Sequence, residues 1–300
     1  MNHPYASRAY AEGLPHVGEP IDVPEWGTRL LARAAPGGGR RDATGPYPLT
    51  PIAADADLPA GLERLKATGL VTAVFVADDR LRPDLPTLES AFERVRRFKS
   101  HFVYDRTLGP LEYAKHHRYE VRRAHGRVRA EEIGLGDHLA AWQALYDELA
   151  ARHGLAGLHA FPRIHHETLA RMPGVRTFGA FMEERLVAAH IFVVHQDYAV
   201  SHLAASSAEG YRNGAAYAVN DVAVTALTDC DVINFGGGAG LDDDPSAGLV
   251  RFKKGFSNRI AASYICGAIL DPAAYAEMSA GHDESAFFPA YRGPARERSE

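Results

Sequence analysis

The sequence predicts an α+β fold built on mixed β-sheets, and three observations carry that expectation. A strand hairpin (185–195, then 198–206) is followed by a helix at 215–227 and a further strand at 232–235, an order that suits a mixed sheet rather than a doubly wound parallel one. A helix at 62–68 leading into a strand at 71–76 gives the first half a similar rhythm. The 300 residues, 46% hydrophobic and 24% charged, suffice for two average domains whose cores need no disulfide staples, and the expected division is 1–150 and 151–300.

The elements follow in order. The first 60 residues are rich in Pro and Gly (Pro15 to Gly27, Ala35 to Pro51), which suits short strands joined by turns and not long helices. Val71 to Val76 is β-branched and aromatic, as a buried strand requires. A short strand is expected at 102–104, a charged helix at 109–124, and an amphipathic helix at 137–153, where Leu139, Trp142, Leu145, Tyr146 and Leu149 recur at helical spacing. A helix at 165–171 and a strand at 177–182 precede the hairpin, whose turn is Met182-Glu183-Glu184-Arg185. A helix at 246–256 and a tail from Gly281, either docked or frayed, complete the chain.

Net charge is −5, which argues against a protein that coats nucleic acid along its whole surface. Residues 91–130, however, hold eleven Lys/Arg against four Asp/Glu, a net of +7 in a chain whose remainder stands at −12. A positive island of this kind is either a solvated helix face or a local attractor for a polyanion. The two cysteines, Cys230 and Cys266, show no C-x-x-C spacing, no apolar run approaches the roughly 20 residues needed to span a bilayer, and the first 20 residues lack signal-peptide character, so a cytoplasmic location without membrane insertion is expected.

Motifs of known chemistry are few. The run Asn234-Phe235-Gly236-Gly237-Gly238-Ala239-Gly240 fits neither the Walker nor the dinucleotide spacing, and reads as a strand end that another backbone or a substrate approaches closely. Asp242-Asp243-Asp244 lacks the later ligands of a calcium loop and reads as acidic residues at a helix start. The histidines His116, His117, His153, His159, His165 and His166 show no metal-binding spacing and are expected mostly at the surface, so no metal site is expected. No G-x-S-x-G elbow is present, Ser206-Ser207 reads as a strand end, and nucleophilic catalysis has little support from sequence. His202, Asn220 and Asn234 are polar residues set inside apolar elements, where burial without a partner is costly, and they are expected to line a substrate cleft.

Several segments resemble the Fem family of aminoacyl-tRNA-dependent peptidyltransferases and its acetyltransferase-like relatives. They are Ala188 to Val194, Ser201 to Ser206, Asn213 to Tyr217, Asn234 to Gly237, and above all Gly248-Leu249-Val250-Arg251-Phe252-Lys253-Lys254-Gly255-Phe256, with its Phe-Lys-x-Gly-Phe ending. Asp42 to Tyr47 and the Arg-rich segment His117 to Ala124 add looser matches. The resemblance implies two tandem domains of the GNAT acetyltransferase type, and transfer of an aminoacyl group from tRNA to the amine of a peptide, peptidyl-nucleoside or cell-wall precursor. The chain has no long heptad segment for the coiled-coil arm of some members and is similar in size to stand-alone relatives from antibiotic biosynthesis.

An aminoacyl ester is already activated, so such an enzyme must chiefly align an amine and stabilise an oxyanion. The family match makes Lys253 the candidate cation, with the Phe252 peptide region beside it; Tyr47, His202, Asn220 and Asn234 are candidates for substrate binding, and Arg118, Arg122, Arg123 and Lys254 for tRNA. No cofactor is implied beyond the aminoacyl-tRNA donor. Two alternatives remain open: an acyl-CoA-dependent N-acyltransferase, for which Glu209 to Ala216 only partly meets the GNAT pyrophosphate-loop pattern, and a non-catalytic tRNA-binding module.

Overall fold

The computed structural model describes residues 3–238, 248–283 and 287–295. Its strands are β1 (Glu19–Val23), β2 (Thr28–Ala34), β3 (Arg41–Thr44), β4 (Leu70–Ala77), β5 (Arg94–Asp105), β6 (Arg129–Ile133), β7 (Val175–Met182), β8 (Arg185–His195), β9 (Tyr198–Ser206), β10 (Val232–Asn234) and β11 (Arg259–Ile269). Its α-helices are α1 (Arg8–Glu12), α2 (Leu58–Lys66), α3 (Leu85–Ala91), α4 (Lys115–His125), α5 (Leu139–His153), α6 (Arg163–Arg171), α7 (Ala208–Asn213), α8 (Ala215–Ala226), α9 (Gly248–Gly255) and α10 (Pro272–Ser279). Two compact units divide the chain: Met1–Phe98 with Ala262–Glu300, and Lys99–Ala261. Residue 150, the boundary expected from sequence, falls inside α5 within the second unit, and the chain returns to the first unit after Ala261.

In the first unit the strand order is β1-β2-β3-β4-β11, antiparallel except for the parallel pair β3 and β4. Its core centres on Trp26, whose ring lies 5.8 Å from Phe75 and 5.6 Å from Phe92. Gly61 in α2 makes that packing possible, since a Cβ there would sit 2.1 Å from the Trp26 indole nitrogen. Buried Asp42 accepts from Arg33 (3.0 Å), from the Tyr291 hydroxyl (3.0 Å) and from Arg292 (2.5 and 2.9 Å). The described part of the tail is thus docked, with Phe288, Ala290 and Tyr291 buried against Val71 and Val74.

The second unit orders its strands β5-β10-β9-β8-β7-β6, with β10 and β9 parallel and the other pairs antiparallel. Both units therefore carry mixed sheets, and the α+β class read from sequence is the one observed. Helix α8 packs on β6, β7 and β8, while α5 packs on β8 and β9. Helix α4 buries His117, Val121 and Ala124, spaced as one helical stripe, and leaves Lys115, Arg118, Tyr119 and Arg122 outside.

Where sequence and structure differ, the causes are local. The charged helix begins at Lys115 rather than at 109, because Gly109 has φ 117° and Pro110 follows it, so 109–114 stays non-helical. Strand β6 (Arg-Ala-Glu-Glu-Ile) escapes a hydrophobicity reading because it pairs only with β7 and its edge position tolerates charge. Strand β11 and the charged first part of β5 escape it too. Of the histidines expected at the surface, His117, His165 and His166 are buried, because each ring packs in an aromatic cluster. No described helix is long and apolar enough to cross a membrane.

Candidate functional site

The second unit concentrates buried polar groups around β8, β9, β10 and α9. At the end of β10, the Asn234 side chain is fully buried: its amide donates to the Tyr198 hydroxyl (2.7 Å) and lies 3.0 Å from His101 Nδ1. Its carbonyl oxygen accepts from the Gly236 N–H at 2.8 Å. That bond fixes the turn leaving the strand, where Gly236 takes φ 73°, a left-handed conformation that a side chain would strain. At Gly237 the approach is close as well, for a Cβ would stand 3.0 Å from the Ser100 carbonyl oxygen and the neighbouring backbone would have to give by a few tenths of an ångström. The glycine run is thus a strand end under close backbone approach, as its sequence suggests. Ala239, Gly240 and the Asp242-Asp243-Asp244 run lie outside the described residues.

Two lysines converge on this turn. Lys253, from α9, donates to the Gly237 carbonyl at 2.7 Å, and Lys99, from β5, donates to the Gly238 carbonyl at 3.2 Å. Burial of the Lys253 ammonium, with Lys99 adding like-charge repulsion, lowers its pKa to about 8. Phe252 of α9 and Phe256 just past its end hold Lys253 there. Phe252 and Phe256 pack against each other (5.2 Å) and against His117 (6.2 and 4.4 Å), while Tyr217 of α8 closes on Phe252 at 4.9 Å. Gly255 admits the His117 ring, since a Cβ there would stand 2.2 Å from it. The Phe-Lys-x-Gly-Phe segment is therefore two aromatic anchors, a lysine aimed at a glycine turn, and a glycine that lets α4 approach. Phe252 contributes its ring to this packing and its N–H to the ladder of α9.

The hairpin supplies a second cluster. His190 of β8 is buried, with Nδ1 3.0 Å from Asn220 Oδ1 and Nε2 2.8 Å from Ser201 Oγ. Asn220 Nδ2 donates to the Ala216 carbonyl at 2.8 Å, which leaves Oδ1 to face the imidazole. Burial first, then the nearby Lys253 charge, depress the His190 pKa to about 3, against a smaller upward pull from the Asn220 hydrogen bond. The β8 and β9 register slips between Ile191, opposite Leu203, and Phe192, opposite Ser201. His202 is the extra residue of that bulge, and bulges re-aim side chains at sites of function. Its Nε2 lies 2.9 Å from His165 Nε2 of α6, and burial keeps the His202 pKa well below the ordinary histidine value.

The candidates named from sequence are accordingly distributed. Asn234 and Lys253 meet on the glycine turn; Asn220 joins His190, a residue with which Lys253 interacts electrostatically; His202 bonds to His165 instead. All three of His202, Asn220 and Asn234 are buried and hydrogen-bonded. Arg118, Arg122 and Lys254 are exposed, whereas Arg123 is half-buried and paired with Glu120 at 2.9 Å. Tyr47 belongs to the first unit, 43% exposed, with its carbonyl accepting from the Tyr10 hydroxyl. His190 and Ser201 do not stand out as site residues in the sequence. The hairpin turn aligns the two strands and brings them near each other, but only the bulge sets their contact. Among the described residues no group of three or more His, Cys, Asp or Glu side chains forms a metal site.

Neither a protein-family model nor a curated protein matches this sequence. Solved structures do match in shape. FemX superposes with a TM-score of 0.63 at 12% identity, over 92% of this chain and 95% of its own. The C-terminal DUF2156 domain of a protein described as a lysylphosphatidylglycerol synthetase from Agrobacterium fabrum gives 0.61 at 16% identity, over 91% of this chain and 90% of its own. L-PGS from Bacillus licheniformis gives 0.58 at 12% identity, with 99% of each chain covered. The fold is the one these three structures share.

Proposed function

We propose that this protein transfers an aminoacyl group from aminoacyl-tRNA to the amine of a peptide or peptidyl-nucleoside acceptor, forming a peptide bond. The observation that carries the reading is Lys253, a half-buried residue whose ammonium α9 holds against the glycine turn at the end of β10. An acyl-transfer site needs a fixed positive charge beside the developing oxyanion, in a place where little water competes for it. Shape likeness to FemX and to L-PGS supports the same assignment.

The donor's nucleic acid has a matching surface. Lys115, Arg118 and Arg122 lie exposed along α4, and Arg251 and Lys254 lie exposed on α9, the helix that carries Lys253. His117 of α4 packs on Phe256, just past the end of α9, so the two basic stretches adjoin. Phosphates near an acceptor end bound here would bring the ester toward Lys253. Arg123, already paired with Glu120, serves the helix more than the ligand.

Acyl-CoA as donor is the second reading, favoured by one feature: α8 begins at Gly214 (φ 72°) with no side-chain cap, leaving a helix N-terminus suited to an anionic group. The purified chain, given aminoacyl-tRNA or acyl-CoA with an amine acceptor, separates the two. Amide product from aminoacyl-tRNA alone is expected. Product from acyl-CoA alone overturns the tRNA assignment.

A further inference from the structure

Helix α4 has two distinct faces. His117, Val121 and Ala124 form its buried stripe, on the side that packs against α8. Lys115, Tyr119 and Arg122 follow one another at i, i+4 and i+7 and so form one row along the opposite face, with Arg118 beside it. All four of these residues are exposed. The helical rise sets the two cations of the row about 10 Å apart along the axis, with the tyrosine ring between them.

Tyr119 is the member of this row that folding does not account for. Its side chain is 62% exposed, and among the described residues it makes no hydrogen bond, ring contact or cation–π contact. Tyrosine is also a weaker helix former than the lysine, arginine and glutamate around it, so the helix gains no stability from its presence. A flat apolar ring set between cations suits an unpaired nucleotide, since the cations attract phosphates and the ring stacks on a base. A duplex offers phosphates to such a row but keeps its base faces covered by stacking, which leaves the ring without a use. An anionic membrane fits less well, because a helix lying in a bilayer surface turns an apolar face to the lipid, whereas the apolar residues of α4 face the protein. The row also belongs to the helix that adjoins the Lys253 segment, where the His117 ring lies 4.4 Å from that of Phe256.

We propose that Tyr119 stacks on a base of the donor RNA's unpaired 3′ end, while Lys115 and Arg122 hold the phosphates that flank that nucleotide. The proposal rests on the reading of aminoacyl-tRNA as donor, and it deepens that reading by naming the part of the RNA that α4 takes: the single-stranded terminus that carries the ester, not the paired stem. Stacking on a tyrosine ring tolerates any base, because every base has a π-face. The discrimination made here is therefore between unpaired and paired RNA, not between sequences.

The test measures, by fluorescence anisotropy across a salt series, binding of the full chain to two fluorescein-labelled RNA hairpins that share one stem, one ending in a short single-stranded 3′ overhang and the other blunt. Expected are tighter binding of the overhang hairpin by the wild type, a loss of roughly 5- to 150-fold in that affinity in Tyr119→Ala, the range for one base–aromatic stack, and its retention in Tyr119→Phe. Tyr119→Ala should bind the blunt hairpin as the wild type does and keep the wild-type salt slope, because it removes no charge, whereas Arg122→Ala lowers the slope. Alanine is the better helix former, so the variant is expected to unfold at no lower urea concentration. Wild-type affinity for the overhang hairpin in Tyr119→Ala, an equal loss on both hairpins, or binding of phosphatidylglycerol vesicles in place of either RNA overturns the proposal. Single-turnover transfer from aminoacyl-tRNA separates the two readings. Transfer by a protein whose RNA affinity ignores Tyr119 removes the stacking role and leaves the proposed function standing, whereas Tyr119-dependent binding of the overhang by a protein that transfers nothing keeps the stacking role and removes the transferase reading.

Discussion

Gly255→Ala is the substitution whose cost follows most directly from the geometry. A Cβ at this position would stand 2.2 Å from both His117 Cε1 and Nδ1, whereas relaxed contact between such atoms needs about 3.5 Å or more. The ring must retreat by roughly 1.3 Å, and it has little room, being packed 4.4 Å from Phe256, 5.0 Å from Tyr217 and 5.5 Å from Tyr113. Overpacking of this kind costs about 1–3 kcal/mol, and the better helix propensity of alanine returns up to about 1 kcal/mol, so a net loss of about 1–2 kcal/mol is expected. In a His117→Ala background the obstruction is gone and only the propensity gain remains. The same Gly255→Ala step should then be neutral or stabilising. Urea unfolding of the four proteins of this double-mutant cycle measures both steps. An equal cost in both backgrounds, or no cost in the wild-type one, would refute the claim that Gly255 exists to admit His117.

Other outcomes follow from the same structure. Reversing Arg118 and Arg122 to Glu should weaken tRNA binding and lower its salt dependence by roughly 0.7 to 0.9 in log-log slope for each phosphate no longer neutralised, read by fluorescence anisotropy across a salt series, while Arg123→Ala leaves the slope unchanged. The transfer rate should fall as pH rises through about 8, where Lys253 loses its proton, and Lys253→Arg should abolish that limb of the profile. Burial holds His117 and His166 at a pKa of about 4 and His190 at about 3, so between these values and the ordinary 6.5 the unfolded chain binds protons that the folded one refuses. Stability should therefore decline as pH drops from 6.5 toward 4, and His166→Gln should make the decline in urea midpoint shallower. In the first unit, Asp42→Ala leaves the Arg33 and Arg292 guanidiniums without their shared carboxylate and should cost about 3–5 kcal/mol in unfolding free energy.

Much of the fold is legible because its longest buried elements announce themselves. Strands β8 and β9 match the sequence reading end to end, since the run from Leu186 to Val194 has no alternative but a buried strand and Glu183-Glu184 marks the turn. Strand β11 is hard to read although it is long, because alanine, serine and glycine dilute its apolar pattern. The buried histidines look like surface residues for a different reason. Nothing local in His165-His166 shows that Phe161, Tyr146 and Trp142 surround them, since that depends on how α5 and α6 pack. At the site, Lys253 and Asn234 are legible from the Phe-Lys and Asn-Phe-Gly-Gly segments. The pairing of Ser201 with His190 is not, because a register slip of one residue decides it.

Single-turnover transfer from aminoacyl-tRNA to an amine acceptor, comparing the wild type with Lys253→Ala, tests the central claim most directly. Circular dichroism and urea unfolding establish that the variant retains its fold. The account predicts measurable peptide-bond formation by the wild type and a rate at least ~100-fold lower in the variant, the scale of losing one oxyanion-stabilising group. A folded Lys253→Ala protein that transfers at near wild-type rate would contradict it.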